Sequence, residues 1–425
     1  MRRSGRLSGQ HTVVVTGLGV LSPLGDSPAE LHRALCDGTD ASGRVEGFPV
    51  DGLPVERAVE LRGFDPARYL GDGNFRPLDR TGQLAACAAR LALTDAGLRT
   101  EEPGAEDDAK REIALVVGSM FGSVRTIAEF DRRGLEAGPL YVKPFDFANS
   151  VINAAAGQTA IWHHLRGPNS TVSAGTASGV QAIGLAADMV AEGRAEVALA
   201  GGAEELCFES LLSFARAGFL ASGEGGARPF DAKRGGFLLG EGAAFLVLES
   251  AESAAARGAR VLATVLGQGA AFDPSQGRDG ASGGRAVARA VTLALADAAL
   301  MPRAVSAVSA SANGHRHADR REACGLAMAL GEHAGRVPVT APKGVLGECL
   351  GASGALQAVA LVAAMGEGRF PGVRGFEGAE DGFPLAAVRA EPARVDLQVG
   401  LVDGVGLDGP CCALLLGRGA VEARA

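Results

Sequence analysis

The chain has 425 residues, 47% hydrophobic and 21% charged, with 5% aromatics and 62 glycines, a composition that fits one large globular domain or two fused halves. A formal net charge of -8 argues against nucleic acid as the main partner, and no apolar run approaches the ~20 residues that a bilayer span requires. The basic opening Met1-Arg2-Arg3 lacks the apolar stretch of a signal peptide, so the expected location is cytoplasmic, with no membrane partner.

Short β-branched runs alternate with Ala/Leu-rich helical stretches along the chain, the signature of an α/β fold. His11 to Gly19 reads as a strand entering a glycine turn. A helix follows from Ser27-Pro28-Ala29-Glu30, where Ser27 and Glu30 have capping-box spacing, and Gly38 ends it. Further strands are expected at Ile113–Val117, Glu196–Ala200 and Ala244–Leu248, and Glu249-Ser250-Ala251-Glu252 opens another helix. A second set starts at Val261 and runs through Ala304–Ala310 to Ala413–Leu416. The expected organisation is a flexible N-terminus (1–9), an N-terminal half (10–255), a C-terminal half (256–420) and a tail (421–425). Segments 101–110, 221–227 and 274–284 read as surface loops. The seven cysteines (Cys36, Cys87, Cys207, Cys324, Cys349, Cys411, Cys412) lack CxxC or Cys/His spacing; they read as reduced core residues, and no metal site is expected.

Position 176 is the most informative in the chain. Val172-Ser173-Ala174-Gly175-Thr176-Ala177-Ser178-Gly179 reads as strand, sharp turn, helix, which places Thr176 at a helix N-terminus. Unpaired N–H groups and the helix dipole there favour a thiolate or an oxyanion. A threonine hydroxyl gains little from that field unless a base takes its proton.

Several stretches, in their order and spacing, carry a resemblance: Arg166 to Ser173 leading into the elbow, Ala200-Gly201-Gly202-Ala203-Glu204, Arg228-Pro229-Phe230-Asp231 with Gly236-Phe237 and Gly240-Glu241-Gly242, and Lys343 through Gly354. Over nearly its whole length the chain resembles a β-ketoacyl synthase of the thiolase superfamily. The resemblance implies a dimeric, five-layer αβαβα thiolase-like fold made of two duplicated halves. It also implies a reaction in which an elbow cysteine accepts an acyl chain and two histidines stabilise the enolate and oxyanion of decarboxylation.

None of those three residues is present. Thr176 holds the cysteine position, Asn313 matches the first histidine and Glu348 the second, while the family's lysine remains as Lys343. Replacing several members of a cooperating catalytic set leaves little condensing activity to expect. The family's Gly-Phe-Gly-Gly-Thr-Asn loop has also diverged, to Gly406-Leu407-Asp408-Gly409-Pro410-Cys411. A Lys343/Glu348 ion pair is the plain reading of the new acid. His315 and His317 read as part of a solvated polar loop, and His163-His164 as packing or surface residues.

An intact scaffold with an emptied site is similar to a chain-length factor, the ketosynthase-like β subunit of a type II polyketide synthase. The implied role is non-catalytic: pairing with an active ketosynthase and shaping the tunnel that receives the growing chain. No cofactor is implied beyond the phosphopantetheine of an acyl carrier protein, the second partner. By the resemblance, Val124, Ile127 and Leu407 are tunnel candidates, and Phe145, Phe147, Asn169 and Thr171 are dimer-interface candidates. Thr176 departs from the glutamine most common at that position in such factors. Two alternatives stay open: an enzyme with altered chemistry (acyltransferase, decarboxylase or hydrolase), and a homodimeric module that binds acyl carrier protein.

Overall fold

Five strands of the first half are β1 (Val13–Leu21), β2 (Ala114–Gly118), β3 (Asn169–Val172), β4 (Val197–Glu204) and β5 (Gly242–Ser250). Five of the second are β6 (Ala263–Phe272), β7 (Ala307–Ser309), β8 (Val339–Thr340), β9 (Val399–Val405) and β10 (Pro410–Arg418). In the computed structural model, which describes residues 11–98, 112–221, 226–275 and 283–419, they form one ten-stranded sheet ordered β8-β7-β9-β10-β6-β1-β5-β4-β2-β3. The flexible N-terminus (1–9), the tail (421–425) and the loop 101–110 expected above lie outside the described residues, as do parts of 221–227 and 274–284.

Numbered within its own half, each set of strands runs 3-2-4-5-1 across the sheet. The shared order is the structural trace of duplication. The halves meet where Val13, Val14 and Val15 pair antiparallel with Val265, Thr264 and Ala263. Every residue of β1 and of β5 is buried, as expected of strands covered on both faces.

Helices Ser178–Ala191 and Ser353–Glu367 touch strands of both halves and form the middle layer. Arg80–Asp95 packs on the outer face of the first half and Arg285–Asp297 on that of the second, which completes five layers. Small residues set the spacing. A Cβ on Gly19 would stand 2.1 Å from the Ala88 carbonyl oxygen, so the outer helix lies directly against β1. The stretch Leu350–Glu367 is apolar enough to cross a membrane, yet 83% of it is buried inside the protein as the central helix.

Local signals read from the sequence hold with one change. Ser27 accepts the Glu30 N–H at 3.3 Å, and Gly38, at φ +62°, ends the helix Pro28–Asp37. The Glu30 carboxylate, however, accepts the Asp26 N–H at 3.2 Å, one residue before the cap that a full capping box would engage.

At one end of the sheet β3 pairs only with β2 among the described residues, leaving its other edge open. The helix Ala154–Trp162 packs on β3, and much of the chain from Val124 up to it is exposed. The helix Val124–Ala137 has no fully buried residue. Leu135, Leu140, Tyr141, Phe145, Phe147 and Ile161 show between 62% and 93% of their surface.

Candidate functional site

The elbow forms as the sequence indicates. β3 ends at Val172, Gly175 takes φ +56°, the Ala177 N–H donates to the Ala174 carbonyl at 3.1 Å, and the central helix starts at Ser178. Ser178 Oγ closes the turn, accepting the Ala174 N–H at 2.9 Å and donating to the Gly175 carbonyl at 2.6 Å. Thr176 is 1% exposed, and its hydroxyl donates to the Val405 carbonyl at 3.1 Å. Among the described residues its side chain meets no base.

One hydrogen-bonded network joins all four positions singled out in the sequence. The Val405 N–H donates to Ser311 Oγ at 3.1 Å, and Lys343 Nζ donates to the same oxygen at 2.9 Å. Lys343 Nζ also donates to Glu348 Oε2 at 2.8 Å, and Asn313 Nδ2 donates to that oxygen at 2.9 Å. The other Glu348 oxygen accepts the Leu350 N–H at 3.1 Å and the Ser353 hydroxyl at 2.7 Å. Lys343, Glu348 and Asn313 are all buried. The carboxylate is thus paired and hydrogen-bonded at both oxygens, which is what a buried charge needs. Asn313 spends its amide on Glu348, while its Oδ1 accepts the His315 N–H at 3.0 Å.

A second set of carboxyls supports this network from behind. The Ser311 N–H donates to Glu322 Oε1 at 2.7 Å and to Asp403 Oδ1 at 2.9 Å. Burial, then the charge of Asp403, pushes Glu322 well above the usual carboxylate range, and burial pushes Asp403 up to about 6. Asp319 accepts the N–H groups of Phe230, Asn313 and Gly314, and burial raises it to about 6. Phe230 is held at φ +63°, and its bond to Asp319 ties the Arg228–Asp231 motif to the site.

Glu204, at the end of β4, pins the opposite wall. It accepts from the N–H groups of Met120, Phe121 and Gly351 and from the Ser119 hydroxyl, and burial holds it at about 7 against those donors. Sequence reading found Glu204 as part of a motif without seeing this role. Asp403 was missed altogether, although an aspartate inside the apolar strand Val399–Val405 was the available signal.

One reading from the sequence needs correction. His315 is the N-cap of the helix Arg316–Leu330 rather than part of a solvated loop: its Nδ1 accepts the Ala318 N–H at 3.3 Å and its ring lies 5.0 Å from that of Phe219. Burial lowers its pKa to about 4, while His317 next door is exposed. Val124 and Ile127 are half-buried on a helix with no buried residue. Leu407 is half-buried and packs on a cluster that includes Leu206, Phe237 and Leu350, as do Met120 and Phe121. Phe145, Phe147 and Asn169 are exposed; Thr171 is half-buried, and its hydroxyl has no hydrogen-bond partner. His163 is buried, with Nε2 2.8 Å from the Ala86 carbonyl.

Residues 10–254 match the family model "Beta-ketoacyl synthase, N-terminal domain", and residues 262–377 match "Beta-ketoacyl synthase, C-terminal domain". The chain is 31% identical to a 3-oxoacyl-[acyl-carrier-protein] synthase 2 of Synechocystis over 402 residues, 93% of this chain and 95% of that protein. It is 35% identical to a Streptomyces coelicolor protein named as a polyketide β-ketoacyl synthase 2 over 431 residues, 99% and 98% of the two chains. Among solved structures it is similar to the ishigamide ketosynthase/chain length factor, with a TM-score of 0.88 and 30% identity, over 96% of this chain and 99% of the other.

Proposed function

The chain belongs to the β-ketoacyl synthase family, and within it we propose that it is a chain-length factor, a subunit without condensing activity that pairs with an active ketosynthase. One observation carries the reading: Glu348, at the place of a catalytic histidine, is locked by Lys343, Asn313, Leu350 and Ser353 into a buried, hydrogen-bonded knot. Decarboxylation develops negative charge, and a site that serves it presents free donors rather than a carboxylate with its donors already engaged. The Thr176 hydroxyl, bound to the Val405 carbonyl, supplies no replacement nucleophile with a base beside it. Ketosynthases need no cofactor of their own, because the acyl chain rides on the phosphopantetheine of an acyl carrier protein.

The exposed apolar segment and the open edge of β3 support the partner. An open edge strand together with the exposed Phe145, Phe147, Leu140 and Ile161 suits a second subunit that continues the sheet and covers apolar side chains. In this reading Asn169 and Thr171 lie on the shared edge, and Val124, Ile127 and Leu407 line the space into which the chain grows. The complex is cytoplasmic, and the second partner is the carrier protein.

The experiment is co-expression with a ketosynthase that keeps its cysteine and both histidines. A stable 1:1 heterodimer is expected; a stable homodimer of this chain that ignores the ketosynthase would instead favour a carrier-protein binding module.

A further inference from the structure

The loop that closes over the elbow carries a charge that the resembled motif does not. Where that motif has its second glycine, and hence no side chain, this chain has Asp408. The loop is a tight, pinned turn. The Gly409 N–H donates to the Gly406 carbonyl at 3.3 Å, the Gly406 N–H donates to the Pro410 carbonyl at 2.7 Å, and Gly409 takes φ +117°. Arg321 fastens it from below, donating to the Gly406 carbonyl at 2.8 Å, with its guanidinium 3.6 Å from Asp273. The Asp273 N–H donates to the Gly409 carbonyl at 2.8 Å.

Held this way, the Asp408 carboxylate lies across the elbow. A Cβ built on Gly175 would stand 2.3 Å from Asp408 Oδ1, and one on Gly406 would stand 2.8 Å from the same oxygen. Asp408 and Ser173 are exposed, while Gly175, against which the carboxylate lies, and the adjoining Thr176 are buried. The one cation that fastens the loop, Arg321, is taken up by Asp273 and a carbonyl, and no side-chain donor among the described residues bonds the Asp408 carboxylate.

We propose that Asp408 makes the approach to position 176 charge-selective, admitting uncharged acyl or alkyl groups and rejecting carboxylates. A carboxylate-bearing thioester would bring its charge against a fixed like charge at the point of entry, whereas a neutral chain meets only a small polar side chain. The field of one carboxylate a few ångströms away alters the approach of an anion by about five- to tenfold at low ionic strength and less in salt. The inference needs no partner subunit, so it stands or falls separately from the proposed function.

The test places a reporter thiol at the elbow. The full chain carrying Thr176→Cys, alone and combined with Asp408→Asn, is alkylated with iodoacetamide, which is neutral, and with iodoacetate, which is anionic. Rates are read at position 176 by peptide mass mapping, which separates this thiol from the native cysteines. The ratio of the two rates cancels any change in thiolate fraction. Asp408→Asn should raise the iodoacetate-to-iodoacetamide ratio about five- to tenfold at low salt, with the gain shrinking as salt is added. Asp408→Gly, which removes the side chain as well, should speed both reagents. An unchanged ratio overturns the proposal, and so does a thiol that neither reagent reaches in any of the three variants.

Discussion

Lys343 Nζ lies 2.8 Å from Glu348 Oε2, and both side chains are buried. A buried ion pair contributes little net stability, but removing one partner strands a charge in a low-dielectric interior. Lys343→Met should therefore destabilise the fold by about 3–5 kcal/mol in denaturant unfolding, and Lys343→Met with Glu348→Gln should recover most of that loss. Equal losses in the single and double variants would mean that the pairing is not what matters there.

His163 gives a stability change with acid. Burial lowers its pKa to about 4 from 6.5, with Nε2 bonded to the Ala86 carbonyl. The folded state keeps it neutral while the unfolded chain protonates, so its contribution is present above pH 6.5 and is lost as pH falls toward 4. His163→Gln should lose less stability than the parent between pH 7 and pH 4.5, by about 2–3 kcal/mol. Unfolding curves across that range check it.

Gly351 packs directly against the Ser119–Met120 backbone and the Glu204 carboxylate. An added Cβ would stand 2.5 Å from Glu204 Oε2 and from Ser119 Cα, and 2.6 Å from Met120 N. Gly351→Ala should cost more than about 2 kcal/mol in unfolding free energy, since backbone cannot yield as a flexible side chain does. Gly366, in the same region of chain, has nothing within 4 Å of such a Cβ, and Gly366→Ala should be neutral or slightly stabilising.

Phe145 and Phe147 are 62% and 67% exposed, on the segment that leads into the helix Ala154–Trp162 packed on β3. Replacing both with aspartate should weaken the heterodimer at least about tenfold in sedimentation or interferometry, with little effect on the unfolding midpoint of the isolated chain. A complex of unchanged affinity would move the interface elsewhere.

The fold was legible because its signals are local: apolar β-branched runs, glycine turns and helix caps such as Ser27 and Gly38 each act over a few residues. The elbow at Thr176 was legible for the same reason. What could not be read was how distant polar residues spend their hydrogen bonds. Nothing near Asn313 announces that its amide faces Glu348, 35 positions away, and Asp403 bonds the Ser311 N–H only because β9 runs beside β7. His315 was misjudged because a cap and a solvated loop look alike until the following helix is seen to start at Arg316. The tilt of Asp408 over Gly175 depends on a turn closed by Gly406, Gly409 and Arg321, and so needed three-dimensional placement.

The most direct test of the central claim is intact-mass analysis of the co-purified complex after incubation with an acyl-loaded carrier protein. The account predicts one acyl adduct, on the ketosynthase subunit, and none on this chain. An acyl adduct on this chain, mapped to Thr176 or to any other residue, would contradict it and make the chain an enzyme in its own right.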